Sequence, residues 1–379
     1  MKITIITSPF GYIPPDGIGA VEKIWYDLSI EFLKKGHQVT IVSKLPEKRI
    51  SETNFWDNNG VFRTYVKGYK RTSSIYTDLI FDFLYSVKSL RRISKTDVLV
   101  LNTFWSPFLS YLFKRKYNVS IYNIARLPKG QYGYLSHIDK LVACGSMIQK
   151  EVMKQNPELS NVCTINNPVN LSLFFNTVFL PIEKYVHVVY TGRIHFEKGL
   201  LNLVKALSLF SNKIPVKLSL VGTADMEKGG GGQVYCDELR SHAKGIDLVF
   251  AGEFSNPELM ADYMRTAHIY CYPPLPTTGD AMPCAPLEAM ALGLPVIVSD
   301  LPCFDDYIVD KENAIRFTVS HNPVRHLERA IELLVFDEVL RRQIGVNASK
   351  TASRFSSSGI AGQYIDLFQS LLENGESLA

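Results

Sequence analysis

Short runs of β-branched and other apolar residues alternate along the chain with longer stretches in which apolar positions recur every three or four residues. That alternation predicts βα units and a parallel sheet. In the first half, the runs near Ile3–Thr7, Gln38–Val42, Val98–Asn102, Ser120–Ile124, Lys140–Ala143 and Val162–Ile165 read as strands, with helices filling the gaps. The clearest helix is Ala20–Lys35, where Val21, Ile24, Trp25, Leu28, Phe32 and Leu33 share a face and Gly36 supplies a left-handed stop. Asn166–Pro181, with two prolines and several asparagines, reads as a passage between domains. A second strand series then runs through His187–Tyr190, Lys217–Val221, Asp247–Phe250, Ile269–Tyr272, Pro295–Val298 and Ile315–Phe317. Leu327–Val335 and Ile360–Leu372 read as helices closing the chain, and Gly229–Gly232 as a flexible loop between a strand and the next helix.

A chain of 379 residues exceeds what one hydrophobic core usually supports, so two domains are expected. The pattern divides them as 1–175 and 176–355, with 356–379 a closing helix that packs back on the first domain. With 46% hydrophobic and 21% charged residues, the composition excludes disorder, collagen-like repeats and a disulfide scaffold. Six scattered cysteines without a C-x-x-C pair suggest neither a zinc site nor a redox motif, and are expected as free thiols of a cytoplasmic protein. The apolar run before Ser8-Pro9 is a strand, too short for a signal peptide, and no stretch is long enough to span a bilayer.

The net charge of +4 hides an asymmetry: residues 1–178 hold 23 Lys and Arg against 13 Asp and Glu, while residues 179–379 hold 18 against 24. Lys67, Lys70, Arg71, Arg91, Arg92, Lys95 and Lys114, Arg115, Lys116 supply most of the excess. Such clusters either attract anionic lipid headgroups from the cytoplasmic face of a membrane or are solvated helix ends. No nucleic-acid-reading module accompanies them, so nucleic acid is not an expected partner.

Two constellations carry candidate chemistry. Thr191-Gly192-Arg193-Ile194-His195-Phe196-Glu197-Lys198-Gly199 follows the first strand of the second half and opens a helix at Leu200. An ammonium and a guanidinium five residues apart beside a helix start can clamp a diphosphate and neutralise a leaving group without a metal; alternatively they are two solvated cations on a loop. In Gly279-Asp280-Ala281-Met282-Pro283-Cys284-Ala285-Pro286-Leu287-Glu288, the carboxylates Asp280 and Glu288 can accept hydrogen bonds from vicinal hydroxyls, or serve as a turn residue and a helix cap.

Together, G-R-x4-K-G, the later acid-x7-Glu element and Glu288-Ala289-Met290-Ala291-Leu292-Gly293-Leu294-Pro295-Val296-Ile297 resemble the retaining glycosyltransferases of family 4. Gly17-Ile18-Gly19-Ala20-Val21-Glu22, Gly36-His37-Gln38-Val39, Asn166-Asn167-Pro168-Val169-Asn170 and Ala251-Gly252-Glu253-Phe254 are similar to further elements of that family, so the resemblance covers nearly the whole chain. It implies an α/β, GT-B fold: two Rossmann-like domains facing across a cleft, the first for the acceptor and the second for a UDP-, GDP- or ADP-sugar donor. By position, Arg193 and Lys198 would bind the diphosphate, Glu288 the ribose, and Asp280 the transferred sugar, which makes Arg193, Lys198 and Asp280 the expected catalytic group. Gly17, Gly19, Glu253, Phe254, Met282 and Cys284 complete the implied donor site. The implied reaction moves a hexose-type sugar, with retention and without metal or cofactor, to a glycan or lipid-linked acceptor, as in surface polysaccharide or lipopolysaccharide synthesis.

Three departures from the family pattern stand out. Asp280 is one methylene shorter than the usual glutamate, Pro283 replaces a usual glycine, and Ile121–Arg126 lacks the histidine often found near the reacting carbon. Arg126 or Lys129 is the candidate to supply polar surface there or to bind an anionic acceptor. Competing readings are a nucleotide-sugar epimerase or glycan phosphorylase, an inactive sugar-nucleotide-binding scaffold and a NAD-dependent oxidoreductase. The last rests on Gly17-x-Gly19-x-x-Glu22, in which glutamate stands in place of the third glycine of a dinucleotide fingerprint. No D-x-D metal motif and no G-x-S-x-G elbow occur.

Overall fold

The computed structural model describes residues 1–13, 19–46, 54–70, 72, 74–175 and 179–376. They fall into two compact units, Met1–Pro168 with Ser357–Ala379, and Val169–Ser356.

The first unit runs β1 (Lys2–Ile6), α1 (Ala20–Lys34), β2 (Gln38–Lys44), β3 (Asn54–Trp56), β4 (Phe62–Val66), α2 (Ile75–Arg92), β5 (Thr96–Leu101), α3 (Ser106–Ser110), β6 (Tyr117–Ile124), β7 (Lys140–Ala143), α4 (Ser146–Gln155) and β8 (Val162–Thr164). Its sheet has the order β3-β4-β2-β1-β5-β6-β7-β8, parallel except where β3 pairs with β4. Parallel strands are covered on both faces and therefore read as continuous apolar runs. Val98, Leu99, Val100 and Leu101 are accordingly all fully buried. α1 lays Trp25, Leu28 and Phe32 on this sheet, each fully buried and worth about 1.5–3 kcal/mol. Gly36 stops it at φ +84°, as expected.

The second unit runs β9 (Val186–Thr191), α5 (Leu200–Phe210), β10 (Val216–Val221), α6 (Gly232–His242), β11 (Ile246–Gly252), α7 (Pro257–Arg265), β12 (Ile269–Tyr272), α8 (Cys284–Ala291), β13 (Val296–Ser299), β14 (Ile315–Phe317), α9 (Pro323–Phe336) and α10 (Glu338–Ser353). Its sheet, β11-β10-β9-β12-β13-β14, is wholly parallel. The closing helix α11 (Ser357–Glu376) returns to the first unit: Ile360, Tyr364 and Phe368 join its core, with Trp25–Tyr364 and Phe32–Phe368 ring centroids 5.2 and 5.9 Å apart.

Some boundaries differ from expectation. The second unit begins at Val169, ahead of the expected 176, because the Val169 N–H donates to the Phe355 carbonyl at 2.8 Å and Phe174 is fully buried. Strands β3 and β4 and helix α10 are not predicted by the apolar pattern. The tract Gly229–Gly232 is not a loose loop. Gly230, Gly231 and Gly232 donate their N–H groups to Asp225, Ile194 and Ala224 at 2.7, 2.7 and 2.8 Å, and a Cβ on Gly230 would stand 2.2 Å from the Ala224 carbonyl carbon. Glycine is used there for close approach. Among the described residues no helix is long and apolar enough to cross a membrane, and all six cysteines are free thiols.

Candidate functional site

In the second unit β9 has β10 on one side and β12 on the other, so the strand order reverses beside β9. Chains leaving the carboxyl ends of two such strands diverge, and that gap is where open α/β sheets bind ligands. The chain leaving β9 passes Gly192 and Arg193, forms a tight turn at Phe196–Lys198 and enters α5 through Gly199 at φ +66°. A Cβ at Gly199 would stand 2.0 Å from the Pro273 carbonyl oxygen just after β12. Only glycine lets the two crossings close on each other, and the closure sets Lys198 against Asp280.

Lys198 is 4% exposed, and its three N–H groups are all used. Nζ donates to Asp280 Oδ1 at 2.6 Å, to Asp280 Oδ2 at 2.8 Å and to Thr278 Oγ1 at 3.1 Å, and lies 5.5 Å from the centre of the Tyr272 ring. The Tyr272 hydroxyl donates to Asp280 Oδ2 at 2.9 Å. Burial holds that phenol well above its ordinary pKa, so it remains a donor. Removing one member of such a buried pair typically costs about 3–5 kcal/mol, because the other charge is left uncompensated. The shorter Asp280 therefore reaches its partner without difficulty, and Gly279, at φ +65°, makes the bend that carries it there.

Arg193 is held in the same turn: its guanidinium donates to Glu197 Oε1 at 2.6 Å and to the Gly229 carbonyl at 2.7 Å. The neighbouring Lys228 donates to Glu253 Oε2 at 2.6 Å, and the Phe254 ring packs on Tyr263 with centroids 5.3 Å apart. Residues from the ends of β9, β10 and β11 are thus tied into one polar edge. Glu253 Oε1 is buried with no partner among the described atoms. His195 rests on Phe196, and burial lowers its pKa, leaving a neutral ring at pH 7.

Beyond Asp280, Met282 is buried and Cys284 half-buried as α8 begins. Pro283 is the residue flanking that helix start, where its missing N–H costs nothing, and its carbonyl accepts from the Tyr307 hydroxyl at 2.9 Å. Glu288 is the fifth residue of α8 and 7% exposed, too far along to cap the helix. Tyr272, Thr278 and Lys228 were missed in the sequence. Tyr272 is the recoverable one, being a polar tip at the carboxyl end of a strand beside the switch point.

In the first unit Gly17 lies outside the described residues. Gly19 flanks α1 at φ −129°, an ordinary extended value, so space requires the glycine: a Cβ there would stand 2.8 Å from Glu22 Oε2, and one on Gly11 would stand 2.6 Å from Glu22 Cδ. Glu22 is 5% exposed, accepts from the Ser8 hydroxyl, and is raised in pKa by burial. Arg126, exposed after β6, offsets that rise only weakly through space. Lys129 is exposed on the following turn, where its backbone N–H donates to Gln131 Oε1 at 2.6 Å.

Residues 177–351 match the family model described as Glycosyl transferases group 1. The match covers the second unit apart from its first and last few residues. The chain is 98% covered by sucrose-phosphate synthase from Thermosynechococcus elongatus at a TM-score of 0.80 and 18% identity, over 99% of that structure. It is equally covered by Anabaena HepE in complex with UDP and glucose, at 0.71 and 17%, over all of that chain. The fold is GT-B. In sequence, 223 residues are 25% identical to an uncharacterized glycosyltransferase of Haemophilus influenzae, covering 57% of each protein. A further 165-residue match, 28% identical, is to the phosphatidyl-myo-inositol mannosyltransferase of Mycobacterium leprae (43% of this chain, 40% of that protein). A third, 25% identical over 189 residues, is to the capsular polysaccharide biosynthesis glycosyltransferase CapM of Staphylococcus aureus (49% and 47%). The matched segments thus span about half the length of these relatives.

Proposed function

We propose that this protein transfers a hexose-type sugar from a nucleoside diphosphate sugar to a hydroxyl of a glycan or lipid-linked acceptor, with retention and without a metal. One observation carries the reading: a buried lysine and a carboxylate, 82 residues apart in sequence, meet at 2.6 Å at the switch point of the unit that matches the group 1 glycosyltransferase model. In the resting protein Asp280 saturates Lys198 and Glu197 engages Arg193. An arriving diphosphate offers both cations stronger, doubly charged acceptors, which releases the carboxylate of Asp280 to accept hydroxyls of the sugar. As the glycosidic bond breaks, Lys198 and Arg193 neutralise charge on the departing diphosphate. Glu288 holds the ribose, and Glu253 with Phe254 borders the base. The first unit takes the acceptor, with Arg126 and Lys129 its polar contacts. That HepE is titled as a complex with UDP and glucose, and that relatives are named for mannosyl transfer and capsular polysaccharide synthesis, supports the donor class and a role in surface polysaccharides.

The test is a thermal-shift series with UDP, GDP, ADP, CMP and NAD, each with and without magnesium, followed by turnover with the sugar forms of the stabilising nucleotide. A ligand that binds only the folded state at a hundred times its Kd adds about 2.7 kcal/mol of stability. Stabilisation by one nucleoside diphosphate irrespective of magnesium supports the proposal. Stabilisation by NAD alone, or a strict magnesium requirement, removes it.

A further inference from the structure

Two tyrosine rings stack at the switch point of the second unit, Tyr190 in β9 and Tyr272 in β12, with centroids 5.7 Å apart and planes 14° from parallel. Both rings are buried, and the Phe304 ring lies across Tyr272 at 85° with centroids 6.3 Å apart. Phenylalanine would fill such surroundings equally well, so two buried phenols require a reason. A hydroxyl out of reach of water is tolerated where it is hydrogen-bonded. Both are, and to the two chain segments that carry the candidate chemistry. The Tyr190 hydroxyl donates to the Arg193 carbonyl at 2.8 Å, and the Tyr272 hydroxyl donates to Asp280 Oδ2 at 2.9 Å. Gly192 makes the first bond possible: its φ is +146°, and a Cβ there would stand 2.6 Å from the Tyr190 hydroxyl oxygen.

The bond to Asp280 differs from the bond to Arg193 in what it leaves open. A carboxylate offers about four acceptor positions. Lys198 takes two of those on Asp280 and Tyr272 a third, while the side chain stays 17% exposed. Once a diphosphate draws Lys198 away, Tyr272 is the donor that still holds Asp280 among the described residues. An unheld carboxylate turns about χ1 and χ2. One pinned at Oδ2 keeps its plane and presents Oδ1 in a single direction, and placement of that kind is worth more in rate than in affinity. We propose that Tyr272 is a positioning residue: it fixes the plane of the Asp280 carboxylate after Lys198 has turned to the diphosphate, and so decides which sugar epimer that carboxylate accepts. Tyr190, stacked against it, keeps the Arg193 turn in register with the same carboxylate. This rests on the transferase reading and adds to it two residues that act through Asp280 and Arg193.

Turnover tests it, read as release of nucleoside diphosphate from the glucose, galactose, mannose and N-acetylglucosamine forms of UDP, GDP and ADP. Tyr272→Phe keeps the stacked ring and loses the hydroxyl. It should lower kcat on the order of tenfold, the worth of a hydrogen bond to a charged group, and narrow the preference among epimers on one nucleotide. Thermal stabilisation by the free nucleoside diphosphate should stay at the parent's level. Asp280→Glu drives the longer carboxylate into the Tyr272 hydroxyl and should lower kcat by a similar factor. In the Tyr272→Phe background that space is open, so the double variant should regain on the order of tenfold over Asp280→Glu alone, a coupling expected only of groups in contact. Tyr190→Phe should raise KM more than it lowers kcat, because it acts through Arg193. Circular dichroism melts check that each variant is folded. Parental kcat and epimer preference in Tyr272→Phe, or losses that add in the double variant, overturn the inference and leave the transferase reading standing. A parent that releases nucleoside diphosphate from none of these donors, and is stabilised by none of the free nucleotides, removes that reading and this inference together.

Discussion

The first βα turn of each unit leaves a central strand and buries one ionisable side chain, and the two solutions are of opposite sign. After β9 the chain buries Lys198 and meets it with both oxygens of Asp280. After β1 it buries Glu22 and meets it with the Ser8 hydroxyl and the glycine backbone at 11 and 19, while Arg126 acts only weakly through space. A charge removed from water is tolerated when an opposite charge is in contact, and otherwise the group shifts toward its neutral form. The second turn thus keeps a charged pair in contact. The first keeps a carboxyl that retains its proton above the usual range.

That contrast is tested most severely at Lys198. Lys198→Ala should cut turnover about a hundredfold or more, because charge on the departing diphosphate is no longer neutralised. Lys198→Arg should recover part of the loss, as a purely structural role would not require. Turnover near that of the parent in the alanine variant removes Lys198 from the leaving-group role. Next in size is Gly199→Ala, which places a Cβ at positive φ against the Pro273 carbonyl oxygen. Strain of this kind costs on the order of 1–3 kcal/mol. Urea denaturation should show that loss together with weaker nucleotide binding; unchanged stability would mean that the crossing gives way and does not fix the pair.

How far this was readable in the sequence differs by element. Twelve strands and α1 were legible because their burial is apolar and therefore periodic. The helix α10 was not: it buries Arg341, Gly345, Ala348 and Thr351, with Arg341 donating to the carbonyls of Leu334 and Val335. A Cβ on Gly345 would stand 2.4 Å from the Gly293 oxygen, so small size is what packing selects there, and the buried stripe Ile344, Ala348, Ala352 holds one large apolar residue, too weak a signal to stand out. β4 was hidden for a related reason, since it carries Arg63, 2% exposed and paired with Asp57. β3 is a three-residue edge strand with exposed ends, too short for alternation to show. In the site, the resemblance pointed to Lys198 and Asp280 separately. Their contact depends on strand order, which places the ends of β9 and β12 side by side and which local pattern does not carry.

The smallest effect is expected at Glu22, and its sign separates the two turns most cleanly. With the folded pKa above the unfolded one, the native state holds the proton more tightly, so this group's contribution to stability is complete below the unfolded value near 4.5 and is lost as pH rises through the folded value. Glu22→Gln keeps an acceptor for Ser8 but cannot ionise. Relative to the parent, the glutamine variant should therefore gain stability between pH 4 and neutrality, by about 1.4 kcal/mol for each pH unit by which the carboxyl is displaced. Urea denaturation of both proteins at the two pH values gives the difference directly, with other titrations cancelling. A difference independent of pH, or one that grows in favour of glutamate toward neutrality, would mean that the first turn also holds a stabilised charge. The buried carboxyl would then be an ionic device of the same kind as Lys198 and Asp280.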